Sequence, residues 1–162
     1  MTAEEVIAHL QLQPHPVEGG FFRETYRSKE SLKRGQNNRS ISTAIYYLLT
    51  PKTVSALHRL SGDEVFHFYM GDPVRMLQLR PDGSTRTLIL GTDLNAGQVP
   101  QLVVPGGVWQ GSVLIDGGSF ALLGATMAPG FDYADYESAD REELTARYPG
   151  EAAMIERLTP RT

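Results

Sequence analysis

Histidine is scarce in this chain, with four copies in 162 residues, and two of them bracket a glutamate in His58-Arg59-Leu60-Ser61-Gly62-Asp63-Glu64-Val65-Phe66-His67-Phe68-Tyr69-Met70-Gly71. An imidazole titrates near neutral pH and can take or return a proton. Strand alternation groups Glu64 with Phe66 and Phe68 on one face and Val65, His67 and Tyr69 on the other. A carboxylate among phenylalanines is desolvated, which raises its pKa and suits it to acid–base work. His58 and Glu64 are therefore the candidate catalytic residues. The competing reading has Glu64 at a barrel mouth, holding water or a loop amide. With no cysteine, disulfides, thiolate zinc sites and cysteine nucleophiles are excluded. The glycine-rich pieces fit turns, not a phosphate-cradling loop or a Gly-x-Ser-x-Gly elbow.

Other side chains qualify as ligand contacts. Phe66 and Phe68 would wall an apolar pocket, and Gln110 would supply a hydrogen bond. Arg23 carries a planar fork that suits a carboxylate or phosphate. Alternation puts Arg23 and Thr25 opposite Phe22, Glu24 and Tyr26, so Arg23 and Glu24 cannot both line one pocket. Trp109, the single tryptophan, could stack on a flat ligand or plug a barrel rim. The acidic, aromatic stretch Gly130–Glu137 would cover a pocket, cover a dimer interface, or simply lead into the last helix. His9 and His15 read as peripheral, on a first helix and in a proline-rich turn, and carry no assigned chemistry.

The elements that must position these residues are mostly strands. Runs rich in β-branched and aromatic residues occupy Phe21–Arg27, Ile41–Leu49, Val54–Leu60, Glu64–Met70, Val74–Arg80, Thr85–Gly91, Gln101–Val104, Gly111–Ile115 and Phe120–Met127. Pro81-Asp82-Gly83-Ser84 and Asp116-Gly117-Gly118-Ser119 read as hairpin turns. The polar stretch Ser31–Arg39 reads as a solvated loop or flap. Helix signals stand only at the ends. Thr2 with Glu5 and Asp140 with Glu143 have capping-box spacing, Pro14 and Pro16 close the first helix, and Pro149-Gly150 separates the second from a short one over Ala152–Leu158. About nine strands without alternating helices predict an all-β, closed jelly-roll barrel with short N- and C-terminal helices, because closure removes exposed edges.

Fifteen Lys and Arg against nineteen Asp and Glu leave a net charge of −4, with no basic block, which argues against nucleic-acid polymers and anionic membranes as partners. No apolar run is long enough for a transmembrane helix, and the acidic start differs from a signal peptide, so a cytoplasmic location is expected. The length fits one domain over residues 1–162.

The spacing His58-x5-Glu64-x6-Gly71 resembles the first cupin motif, and Pro105-Gly106-Gly107-Val108-Trp109-Gln110 resembles the second. Further segments, Pro14–Ser28, Ser42–Leu49 and Ala128–Tyr133, resemble one uncharacterised cupin family, a domain of unknown function. That resemblance implies the cupin double-stranded β-helix and a homodimer through swapped or paired N-terminal strands. Metal-binding cupins place histidines where this chain has Leu60 and Gln110. The candidate ligands are thus reduced to His58, Glu64 and the weak donor Gln110, so no cofactor is favoured, with a divalent metal as the alternative. Ser55-Ala56-Leu57-His58 and Gly19-Gly20-Phe21-Phe22-Arg23-Glu24 are distantly similar to segments of dTDP-sugar 3,5-epimerases. This implies a metal-independent isomerase with His58 as base and an acid among Tyr46, Tyr47, Tyr69 and Tyr133. The ligand expected from that resemblance is small and anionic or nucleotide-like. A non-catalytic sensor or carrier is the alternative.

Overall fold

The computed structural model describes residues 1–161. The chain opens with α1 (Ala3–Leu10), whose N-terminus is closed by a reciprocal Thr2–Glu5 capping box, then β1 (Gln13–Pro14) and β2 (Phe21–Arg27). There follow β3 (Ser31–Arg34), β4 (Asn37–Ser40), β5 (Thr43–Leu49), β6 (Val54–Arg59), β7 (Glu64–Gly71), β8 (Val74–Leu79) and β9 (Thr85–Leu90). The last strands are β10 (Gln101–Val104), β11 (Trp109–Leu114), β12 (Ala121–Met127) and β13 (Glu137–Ser138), before α2 (Arg141–Arg147) and α3 (Ala152–Leu158). No described helix is long and apolar enough to cross a membrane.

Two antiparallel sheets face each other, in the orders β1-β2-β5-β12-β7-β10 and β13-β6-β11-β8-β9. Their inner faces enclose one core that includes Tyr47, Leu49, Phe66, Met76, Leu114 and Leu123. Adjacent residues serve the other side. Leu48 and Leu122 pack outward on α1, while Leu77, Leu79, Trp109 and Val113 pack outward under α2 and α3. Strands covered on both faces read as continuous apolar runs, which is why the central strands were easy to see in the sequence. The strand–turn–strand at Pro81–Ser84 is a hairpin joining β8 and β9. Asp116–Ser119 is not: β11 pairs with β6 and β8, β12 with β5 and β7, and the glycine turn carries the chain from one sheet to the other. The polar stretch expected as a loop is the hairpin β3–β4.

Three strands carry an extra residue, and two of these bulges shape the interior. On β6, Ala56 and Leu57 stand opposite Gly111 alone, between the pairs Ser55–Ser112 and His58–Gln110. An odd separation normally puts two residues on opposite faces; the bulge turns both Ser55 and His58 inward. On β2 the register slips between Glu24 and Tyr26, so Arg27, not Tyr26, follows Glu24 to the inner side. The third, at Tyr69 on β7, lies against Leu122 and Leu123 of β12.

The segment between β1 and β2 is pressed onto the barrel. Ala56 N–H donates to the Glu18 carbonyl (2.8 Å), His15 N–H to the Gly20 carbonyl (2.9 Å) and the Tyr47 hydroxyl to the Gly19 carbonyl (2.6 Å). Gly19 and Gly20 both have positive φ, and a Cβ on Gly19 would overlap the Val54 carbonyl. Gly19→Ala is expected to lower stability by about 1–3 kcal/mol, the range for an imposed backbone strain. Thermal denaturation checks this; an unchanged melting temperature would show that the segment is not seated as described.

Candidate functional site

A cavity of about 560 Å³ opens between the two sheets, lined by His15, Glu18, Phe22, Glu24, Arg27 and His58 together with Leu60, Glu64, Phe131, Asp132 and Tyr133. Its floor is polar and buried. His58, on β6, is 2% exposed and Glu64, at the start of β7, is 7% exposed. Gln110, across from His58 on β11, donates Nε2–H to Glu64 Oε2 at 2.8 Å and so ties the two sheets together.

The His58 ring is held in one tautomer. Nδ1 lies 2.7 Å from the Ala56 carbonyl, which can only accept, so Nδ1 carries the proton. Nε2 faces the cavity with no hydrogen-bond partner and with Glu18 Oε2 at 3.9 Å; in the neutral ring it presents a lone pair there. Tyr136 stacks on the ring at 4.8 Å and 11°. Glu18 is anchored through Oε1, which accepts from the Ser55 hydroxyl. Its Oε2 is also 3.9 Å from His15 Nε2. His15 has the opposite tautomer: Nδ1 accepts Glu18 N–H at 2.9 Å, so the proton is on Nε2. Burial pushes the His15 pKa down and keeps that ring neutral.

Glu64 is the most perturbed carboxylate of the floor. Burial, then the nearby Glu18 carboxylate, push its pKa up to about 7, against the opposing effects of His58 and the Gln110 hydrogen bond. Near neutral pH it exchanges its proton readily, as an acid–base partner must.

The cavity is roofed by the chain after β12. Phe131 N–H donates to Thr43 Oγ1 at 2.9 Å, Arg27 donates to the Phe131 carbonyl at 3.2 Å, and buried Arg39 pairs with Asp132 (3.0 Å) and Asp135 (2.9 Å). The acidic, aromatic stretch thus covers this pocket.

Of the residues singled out in the sequence, His58, Glu64, Gln110 and Glu24 converge here. The others lie elsewhere. Arg23 is on the outer face of its sheet, its guanidinium 5.8 Å above the Tyr46 ring. Phe66 is in the inner core with Phe68 packed against it, and neither lines the cavity. Trp109 is buried on the outer side of the second sheet, beneath the helices and the Arg59 guanidinium. His67 also points outward, bonding Thr126 and Gln101. Among the candidate tyrosines, Tyr133 lines the cavity, Tyr47 is buried with its hydroxyl spent on Gly19, and Tyr46 and Tyr69 pack on each other outside. His15, Glu18 and Arg27 were missed. A histidine between two prolines, three residues before a glutamate and a Gly-Gly pair, was the available signal for the first two. A wider cleft of about 850 Å³ lies outside the barrel beside the C-terminal segment and shares Glu18, but holds neither His58 nor Glu64.

The donor set does not fit a transition metal. His15 Nε2 carries a proton and cannot ligate, and Gln110, whose Nε2–H donates to Glu64, has only its amide oxygen, a weak donor, to offer. An ion at ~2.1 Å from both His58 Nε2 and Glu18 Oε2 would subtend an angle of roughly 135° across their 3.9 Å separation, between the usual ligand angles. No group of three or more metal-ligating side chains is gathered for an ion among the described residues.

Known proteins share both chain and fold. An uncharacterised protein of Saccharomyces cerevisiae, YML079W, is 33% identical over 149 residues, covering 83% of this chain and 74% of its own. The structure of protein SO0799 from Shewanella oneidensis superposes with a TM-score of 0.91 at 37% identity, over 100% of this chain and 99% of that one. A hypothetical protein from Leishmania major gives 0.90 at 34%, over 99% and 100%. Bacillus subtilis oxalate decarboxylase shares the fold alone, with a TM-score of 0.57 at 15% identity over 92% of this chain and 38% of that chain. The family described as Cupin superfamily (DUF985) matches residues 4–139, and the chain belongs to that family.

Proposed function

We propose that the barrel binds a small polar molecule and moves a proton on it without a metal, as an isomerase or epimerase does. The observation that supports this reading is the His58 ring: buried, locked by the Ala56 carbonyl with its free lone pair turned into the cavity, and beside a carboxyl group that titrates near pH 7. His58 would act as base, with Glu64, oriented by Gln110, as the acid on the same floor. Tyr133, at the roof, is the phenolic hydroxyl within the lining.

Sugars and nucleotide-sugars incubated with the protein in deuterium oxide provide the test. The expected result is deuterium at a carbon beside a carbonyl, reduced about 10²- to 10⁴-fold in His58→Gln, the usual contribution of a positioned base. Exchange that is absent, or unchanged in the variant, overturns the reading. The second reading is a carrier or sensor that binds without chemistry; Leu60 in the lining and Gln110 bound to Glu64 favour it, because each stands where a metal-binding cupin has a ligand. We also propose a homodimer through the N-terminal strands. β1 covers only Phe21 and Phe22, and β2 from Arg23 onward pairs with β5 on one side alone.

A further inference from the structure

We propose that the group this pocket holds at its floor is a protonated amine, so that its ligands are small organic cations and not anions. The inference rests on the polar-ligand pocket proposed above and fixes the ligand's charge class; an ammonium seated on His58 takes up the lone pair that proton abstraction needs, so a bound amine belongs with the carrier or sensor reading.

Acceptors dominate the floor. Glu18 Oε2 has no hydrogen-bond partner, the His58 lone pair has none, and Glu64 has only Gln110, bound to Oε2, which leaves Oε1 free. All three residues line the same cavity, and His58 is 2% exposed while still presenting an unpartnered nitrogen. An alkylammonium offers three donors and no acceptor, the complement of these three sites. A nitrogen at the ordinary ~2.9 Å from two acceptors readily spans the 3.9 Å between Glu18 Oε2 and His58 Nε2.

Charge points the same way. The cations near the cavity are already spent. Arg27 is clamped by both oxygens of Glu24 (2.8 and 2.7 Å), and Arg39 is paired with Asp132 and Asp135. No cation pairs with Glu64 among the described residues, and Glu18 has only the two imidazoles, each at 3.9 Å. His15, tied through Nδ1 to the Glu18 amide, is kept neutral by burial. A carboxylate or phosphate entering here would meet the Glu18 and Glu64 carboxyl groups with no unpaired arginine or lysine in the lining, a costly arrangement in a water-poor site. An ammonium would neutralise them, and the Phe22, Phe131 and Tyr133 rings provide apolar and π surface for its carbon skeleton.

The test uses one carbon chain carrying three charges: glucamine (ammonium), sorbitol (neutral) and gluconate (carboxylate). Putrescine and ethanolamine serve as further amines, and manganese and zinc ions as competitors. Binding is followed calorimetrically and by thermal shift in wild type, Glu18→Gln, Glu64→Gln and His58→Gln. At least one amine is expected to bind, glucamine more tightly than sorbitol, with gluconate excluded. Glu18→Gln should weaken the amine roughly 10- to 100-fold, the usual range for a lost hydrogen bond to charge. Glu64→Gln retains a partner for Gln110 and serves as the folded control, with a similar loss. Gluconate binding as well as glucamine, no amine binding at all, or a divalent ion binding where amines do not would each overturn the proposal. If amines bind as stated but no ligand exchanges deuterium, the charge class stands and the proton-transfer reading falls. Exchange into an anionic sugar gives the reverse.

Discussion

Replacing Glu64 by glutamine should raise the melting temperature by roughly 6–12 °C near pH ~8 and change it little near pH ~4.5, because the substitution removes a charge that the fold holds at a loss. The sign follows from the carboxyl group's two pKa values, 4.5 ordinarily and about 7 in the fold. Below 4.5 it is protonated in folded and unfolded chains alike, and burial carries no charge penalty. Between 4.5 and 7 the unfolded chain gives up its proton first, so stability falls as pH rises. Above 7 the full difference is reached, about 3 kcal/mol at 1.36 kcal/mol per unit. Burial is the main cause and Glu18 the second, while His58 and Gln110 act against them. Glutamine keeps an oxygen for the Gln110 amide and avoids an orphaned donor. A wild-type melting curve that is flat between these pH values, with no gain in the variant, would show that Glu64 is not held as described. A gain in stability with a loss of ligand binding is the pattern of a strained functional group.

Ile155→Ala should have the opposite effect, destabilising the fold by about 2–5 kcal/mol. Ile155 is fully buried with Leu144 and Leu158, against Leu57 on β6, Leu77 and Leu79 on β8 and Val113 on β11. These helices have seven residues each and could not persist alone, so their apolar faces exist to cover the sheet. The family match ends at residue 139, just before them. Removing everything after Ala139 should therefore expose the outer face of the second sheet and give an aggregating protein, as judged by light scattering and chemical denaturation. A shortened chain that stays monodisperse and cooperative would show the helices to be dispensable.

Much of this architecture was legible because local chemistry and global fold agree. The limits of β2 and β10, the Thr2 and Asp140 caps and the break at Pro149 follow from side-chain spacing that no tertiary contact overrides. The misreadings share a cause: each depends on pairing, which a single strand does not encode. Asp116–Ser119 has the residues of a hairpin turn, but its flanking strands belong to different sheets. Ser31–Arg39 is polar because β3 and β4 form an exposed two-stranded hairpin with little apolar surface to bury. Alternation assigned Arg23 correctly to the face opposite Glu24, but the slip after Glu24 then brought Arg27 inward. His58 and Glu64 could be picked out by residue type. The partners that define their chemistry, Glu18 and His15, could not, because the Gly19-Gly20 pair draws them in through contacts with β5 and β6.

The roof has a consequence for how the molecule acquires its site. Arg27 meets the Phe131 carbonyl across 104 positions of chain, and Arg39 meets Asp135 across 96. Contacts of such long range must overcome loop-closure entropy before they give anything back. The pocket is therefore complete only when distant parts of the chain have come together in the finished fold. Whatever fills it binds the finished fold and, by mass action, stabilises the whole domain against unfolding.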